Sequence, residues 1–196
     1  MRNPRIDFPG ARHHVMNSGA RTGAVFPDDD HRARFLELVA ELPTRYGIVV
    51  HAYALMTNRY DLMLTSQRGN LSRAMRFLGA EFTRSVNAKQ TRDGALFHGR
   101  YKNRVVETDD YWRHLLLYVH GNPVKTMTGL TTPEAAAWTS HDAYVSAAAC
   151  PDWLNRAALL EHFGSAGDYA QAWRDHTAGR LVPPVEFSNA NLWSTQ

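Results

Sequence analysis

Two β-rich runs, IVVHAYAL and YDLMLT, flank a polar Thr-Asn-Arg turn and predict an antiparallel hairpin over residues 48–65. Ahead of them, HHVMNS (13–18) reads as a short strand. Asp28, Asp29 and Asp30 then place acids at a helix start, where the helix dipole favours them. Phe35, Leu36, Val39, Leu42 and Tyr46 follow at helical spacing, with Gly47 as the stop and Pro43 set to end the helix early. Asn70 opens a second helix with an apolar stripe of Leu71, Ala74, Met75, Leu78, Phe82 and Val86, and Arg73, Arg76 and Arg84 on its opposite side. YKNRVVE predicts a fourth strand. Thr108-Asp109-Asp110 caps a third helix carrying Trp112, Leu115, Leu116 and Val119, which Gly121-Asn122-Pro123 is expected to terminate. The order β-α-β-β-α-β-α predicts an α+β, ferredoxin-like four-stranded antiparallel sheet with helices packed on it. Residues 1–145 form the expected main domain. Residues 146–196 are expected to be a C-terminal helical extension, with helical patterns near 155–163 and 168–178, and an irregular tail from Leu181.

Composition narrows the class. At 196 residues the chain is long enough for a real core, and 44% apolar with 21% charged residues is globular usage. No apolar run approaches the roughly 18 residues a membrane span needs, so no membrane partner is expected. The opening MRNPRIDFPG has no hydrophobic stretch of the secretory kind, and the single Cys150 fits a reducing cytoplasm.

Net charge is only +3, but it is unevenly spread. Nine basic and two acidic residues fall between Arg68 and Arg104, the footprint of a polyanion contact or of a solvated helix face.

The most informative stretch is His51 to Thr65, HAYALMTNRYDLMLT. It resembles the core segment of the REP-associated tyrosine transposases, hAYxLMxNHxHLLL, with Arg59 and Asp61 at the two histidine positions. FPGARHHV is similar to that family's PGxxYHV, FPDDDHRARFLELVAE to FxDDxDRxxFLxLL, and GNLSRAMRFLGAEFTRSVN to its second helix. FHGRYKN, YVHGNPVK and AAAWTSHDAYV are similar to its GRYK strand, YIHxNPVRA and WSSxxAYL segments. Taken in order across residues 8–145, the matches support one family resemblance.

That resemblance implies single-stranded or hairpin DNA as the ligand, with RNA as the alternative, and a homodimer, which the family often forms. It implies a metal-dependent tyrosine chemistry in which a hydroxyl attacks a phosphodiester while Mg2+ or Mn2+, held by imidazoles, polarises the phosphate. It places the metal ligands at positions 59 and 61 and the nucleophile at position 82. Here those positions hold Arg59, Asp61 and Phe82. A guanidinium has no lone pair for a metal, Asp61 beside it is expected to form an ion pair, and Phe82 lacks the attacking oxygen. No metal cofactor is therefore expected, and cleavage should be lost.

DNA binding needs none of those groups. Phosphate contacts come from Arg and Lys and base stacking from aromatics, so Arg73, Arg76, Arg84, Arg100, Tyr101, Lys102 and Arg104 are the candidate contacts. Arg59 either holds a phosphate or merely pairs with Asp61 or Glu81. Three readings follow: a cleavage-inactive DNA-binding protein, a nicking enzyme with altered ligands, and an interaction module that no longer binds DNA.

Overall fold

The computed structural model describes residues 6–20, 24–126 and 138–188. Four strands, β1 (Ala11–Ser18), β2 (Ile48–Met56), β3 (Arg59–Ser66) and β4 (Lys102–Val105), form one antiparallel sheet in the order β2-β3-β1-β4. With α1 (Asp29–Ala40), α2 (Leu42–Tyr46), α3 (Leu71–Gln90) and α4 (Asp109–Thr126), this is the expected ferredoxin-like arrangement. The hairpin turn is tighter than Thr-Asn-Arg: Arg59 lies in β3, opposite Met56 and Ser18.

Alternation along β3 divides the molecule into two layers. Tyr60, Leu62 and Leu64 enter a core with Phe35 and Leu38 of α1 and Leu78 and Phe82 of α3. Met63 enters a second core with Trp112, Leu115 and Leu116 of α4. In β2 a bulge between Val50 and Ala52 inserts His51 as an extra residue. Val50 therefore faces the first core while Ala52, Ala54 and Met56 face the second.

Local signals explain the helix ends. The Asp28 side chain accepts from the His31 amide and caps α1. Pro43 sits in the first turn of α2, a position that needs no amide proton, and Gly47 closes that helix at φ 62°. Asn70 does not cap α3 through its side chain. Asp7, far off in sequence, does so instead, its carboxylate accepting from the Leu71 amide at 2.7 Å.

One expectation fails on α4. The helix continues through Gly121-Asn122-Pro123 to Thr126. Gly121 is not a stop but a point of close approach: a Cβ there would lie 3.3 Å from the His176 ring. Tertiary packing thus outweighs the hydrogen bond that Pro123 forfeits. Beyond α5 (His141–Val145) come α6 (Ala157–Leu160), α7 (Ala166–Thr177) and α8 (Val185–Ser188). Leu159, Phe163 and Tyr169 join the α4 core, and from the expected irregular tail Phe187 buries its ring against Tyr111, His114 and Tyr118. Residues 189–196 of that tail lie outside the described residues. No described helix is long and apolar enough to cross a membrane.

Candidate nucleic-acid interface

Cross-strand pairing assembles a polar row on the α4 face. Met16 pairs with both Asp61 and Lys102, and His14 pairs with both Met63 and Arg104. Directly opposed residues share a face, so Asp61, His14, Lys102 and Arg104 stand together, with Arg59 two residues before Asp61 on the same side. Lys102 and Arg104 are exposed, while the Arg59 side chain is 29% exposed.

Asp61 is the centre of this cluster and is almost wholly buried. Its Oδ1 accepts from His14 Nε2 at 2.8 Å, and its Oδ2 accepts from Asn122 Nδ2 of α4 at 3.2 Å. Arg59 Nε lies 3.6 Å from the same Oδ2 and also donates to Met56 Sδ at 3.2 Å. Glu81, the other partner considered for Arg59, pairs with Arg84. A buried carboxylate is tolerable only when paired and hydrogen-bonded, and here both oxygens are engaged.

Tyr118 approaches from α4, its ring edge-on to His14 at 6.3 Å. Burial holds its phenol pKa above the ordinary value, and the Asp61 charge adds to this, against the opposing effects of Arg59 and a hydrogen bond with Asn122. The phenol is therefore protonated near neutrality. Arg104 donates to the hydroxyl of Tyr111, two helical turns before Tyr118, at 3.1 Å.

The donor set does not suit the divalent ion that the family resemblance implies. Asp61 and His14 bond each other, a guanidinium sits beside them, and among the described residues no three His, Cys, Asp or Glu side chains converge as ligands.

Phe82 is not part of this cluster, contrary to the expectation that it would lie near Arg59 and Asp61. It is fully buried on the α3 side of the sheet, with ring centroids 5.1 Å from Phe35 and 5.4 Å from Phe26. Phe35 in turn packs on Tyr60 at 4.8 Å, so Phe82 follows the side of Tyr60 and not of Asp61. Helix α3 covers the face away from Asp61, which is why a residue on its apolar stripe cannot reach the cluster. Tyr118 and Asn122, which do reach it, belong to YVHGNPVK. Their signal was the spacing 111, 114, 118, 122, a polar-aromatic face beside the apolar stripe of α4.

The remaining basic candidates split between the faces. Lys102 and Arg104 join the Asp61 cluster. Arg73, Arg76 and Arg84 are exposed on α3, and Arg84 is tied to Glu81. Arg76, Arg100 and Tyr101 line a cleft of about 650 Å3 between α3 and the segment leading into β4. Tyr101 is 8% exposed, its hydroxyl 3.1 Å from that of Ser72, so it is a wall of this cleft rather than an open stacking platform.

No protein-family profile matches the chain, and neither does any curated protein. Among solved structures, a REP-associated tyrosine transposase bound to a REP hairpin superposes with a TM-score of 0.63 at 14% identity, covering 79% of this chain and 92% of that one. A Deinococcus radiodurans R1 protein described as a transposase gives 0.43 at 14% identity, over 59% and 93% of the two chains. A bacterial tRNA(His) guanylyltransferase-like protein in complex with ATP gives 0.42 at 16% identity, over 68% and 69%. At such identities the likeness is one of fold: the chain has a transposase-like fold.

Proposed function

We propose that this protein binds single-stranded or hairpin DNA through the basic surface around Arg59, Lys102 and Arg104, and that it does not cleave the strand. The observation that carries this reading is the state of Asp61, whose two oxygens are consumed by His14, Asn122 and Arg59. A phosphate arriving there meets cations but neither a free carboxylate nor a metal ligand set. Arginine and lysine at such a surface hold phosphates by charge-assisted hydrogen bonds without polarising them for attack. The transposase-like fold supports DNA over other polyanions, since the neighbour of highest similarity described above was bound to a REP hairpin. Binding of a labelled hairpin at low salt tests this. Arg59→Ala, Lys102→Ala and Arg104→Ala should each lower affinity and each reduce the log–log salt slope by about 0.7–0.9. Absence of binding at low salt would favour an interaction module instead.

One observation favours a second reading, a nicking enzyme with altered ligands. Tyr118 places a hydroxyl in the Asp61 cluster, where it feels the charges of both Asp61 and Arg59. Its protonated state and the engaged carboxylate beside it weigh against attack on phosphorus, because the nucleophile needs a base to take its proton. A protein–DNA adduct that Tyr118→Phe abolishes would establish this second reading.

A further inference from the structure

The cleft on the α3 face differs in kind from the Asp61 cluster. It holds about 650 Å3 and lies within the range of small-molecule sites. Its walls are mostly apolar and include the rings of Phe97 and Tyr101, while Gly79 on α3 contributes no side chain. Arg76 and Arg100 stand at its rim, both exposed and with no ion pair to a described residue. The contrast with Arg84, neutralised by Glu81, is direct.

At the floor lies Tyr60, 1% exposed, whose hydroxyl makes no hydrogen bond to a described residue. Its oxygen is not one of the buried polar atoms left without a partner, so it opens onto the cleft, where a bound group can replace water as its partner. Aromatic walls, an unused hydroxyl on the floor and two unneutralised guanidinia at the rim match the parts of a nucleotide. The base takes the rings, its polar edge takes the hydroxyl, and the phosphate takes the guanidinia.

Position connects the cleft to the other face. Arg100 and Tyr101 line it, and the next residues, Lys102 and Arg104, point to the Asp61 side of β4. Because β4 is the edge of the sheet, a strand lying over Lys102 can turn round that edge into the cleft.

We infer that the cleft between α3 and residues 95–101 receives one unpaired nucleotide of the bound DNA strand. This rests on the DNA-binding reading above. The cleft is the part of the protein that distinguishes a hairpin with a single-stranded extension from a blunt one.

Gly79→Leu tests it cleanly. A Cβ at Gly79 meets nothing within 4 Å, and leucine is the better helix former, so the variant fills the cleft without disturbing α3. Affinity is measured for a blunt hairpin and for the same hairpin carrying a single-stranded extension with 2-aminopurine at each extension position in turn. The unsubstituted protein should bind the extended hairpin about ten-fold more tightly, with the fluorescence of one position quenched by stacking. Gly79→Leu should lose both the preference and the quenching while binding the blunt hairpin as before. Arg76→Ala and Arg100→Ala should weaken only the extended hairpin. Equal affinity for the two DNAs, or a preference that survives Gly79→Leu, overturns the inference and leaves the DNA-binding reading intact. No binding to either DNA removes both.

Discussion

The two faces of the sheet handle buried polar groups in opposite ways. On the α4 face, Asp61 is buried with every oxygen engaged, and its neighbours His14, Asn122 and Arg59 are held in place by it. On the α3 face, Tyr60 is equally buried, yet its hydroxyl bonds no described residue and lies on the floor of an open cleft. The first arrangement is satisfied within the protein and chemically quiet. The second leaves a polar group to be completed from outside. A basic surface lies over both, so on the proposed DNA-binding reading the faces play different parts: one would hold phosphates, the other has room for a base.

The largest effects should come from the engaged side. Asp61→Ala leaves Arg59 without its counter-charge and Asn122 without its acceptor, and should cost about 3–5 kcal/mol in urea unfolding. Phe82→Ala on the opposite face should cost a similar amount, about 3–5 kcal/mol, through the cavity left among Phe26, Phe35 and Phe97. The two should then part company in DNA binding. Phe82→Ala should leave the affinity of the folded protein unchanged, while Asp61→Ala, by releasing Arg59, should alter it. Phe82→Tyr adds a hydroxyl to a fully buried position and should cost about 1–3 kcal/mol without restoring any chemistry. A gain of nicking in that variant would mean that the faces are not separate.

Acid should act more on the α4 face than on the α3 face. His51 is lowered by burial to a pKa of about 4, its ring held by the Thr65 hydroxyl, the Asn155 main-chain carbonyl and an edge-on Trp112. Burial also lowers His120 and His141, whose Nδ1 atoms both bond the Tyr169 hydroxyl and so tie α4 and α5 to α7. On the α3 side, burial lowers His13, but Asp7 opposes the shift. For rings with depressed folded pKa values, the unfolded chain takes up protons below 6.5 that the folded chain refuses. Stability is therefore present above pH 6.5 and falls as the pH drops toward about 4, by about 3 kcal/mol from His51 alone. Urea unfolding at about pH 7.5 and about pH 4.5 measures this, and His51→Gln should flatten part of the difference. A stability that does not fall with pH would contradict the burial of these rings.

Single charge removals are the smallest perturbations and the most discriminating. With the extended hairpin, Arg73→Ala and Arg76→Ala should each lower the salt slope by about 0.7–0.9, whereas Arg84→Ala should do less because Glu81 already competes for that guanidinium. Equal effects from all three would indicate a diffuse cationic field rather than defined contacts.

Much of this was legible in the chain. The hairpin, the α3 stripe and the order of elements along the chain followed from periods of two and 3.6, which local sequence carries. So did the shared face of Arg59 and Asp61, because alternation within one strand needs no tertiary information. What local pattern does not carry is which face of the sheet each helix covers. The apolar stripe of α3 looks the same whether it lies over Asp61 or over Tyr60, so the sequence alone does not separate Phe82 from the Asp61 cluster. Tyr118 and Asn122 were hidden beside the stronger stripe of Trp112, Leu115, Leu116 and Val119. Gly121 read as a helix stop because its neighbour across the interface, His176, is 55 residues away in sequence.

The central claim, a strand held but not cut, is tested by one mixture analysed two ways. The protein is incubated at low salt with Mn2+ and an end-labelled hairpin carrying a single-stranded extension, then run on native and on denaturing gels. The account predicts a complex on the native gel and, on the denaturing gel, full-length DNA free of protein. A shortened strand or a covalent adduct under denaturing conditions, lost in Tyr118→Phe, would contradict it.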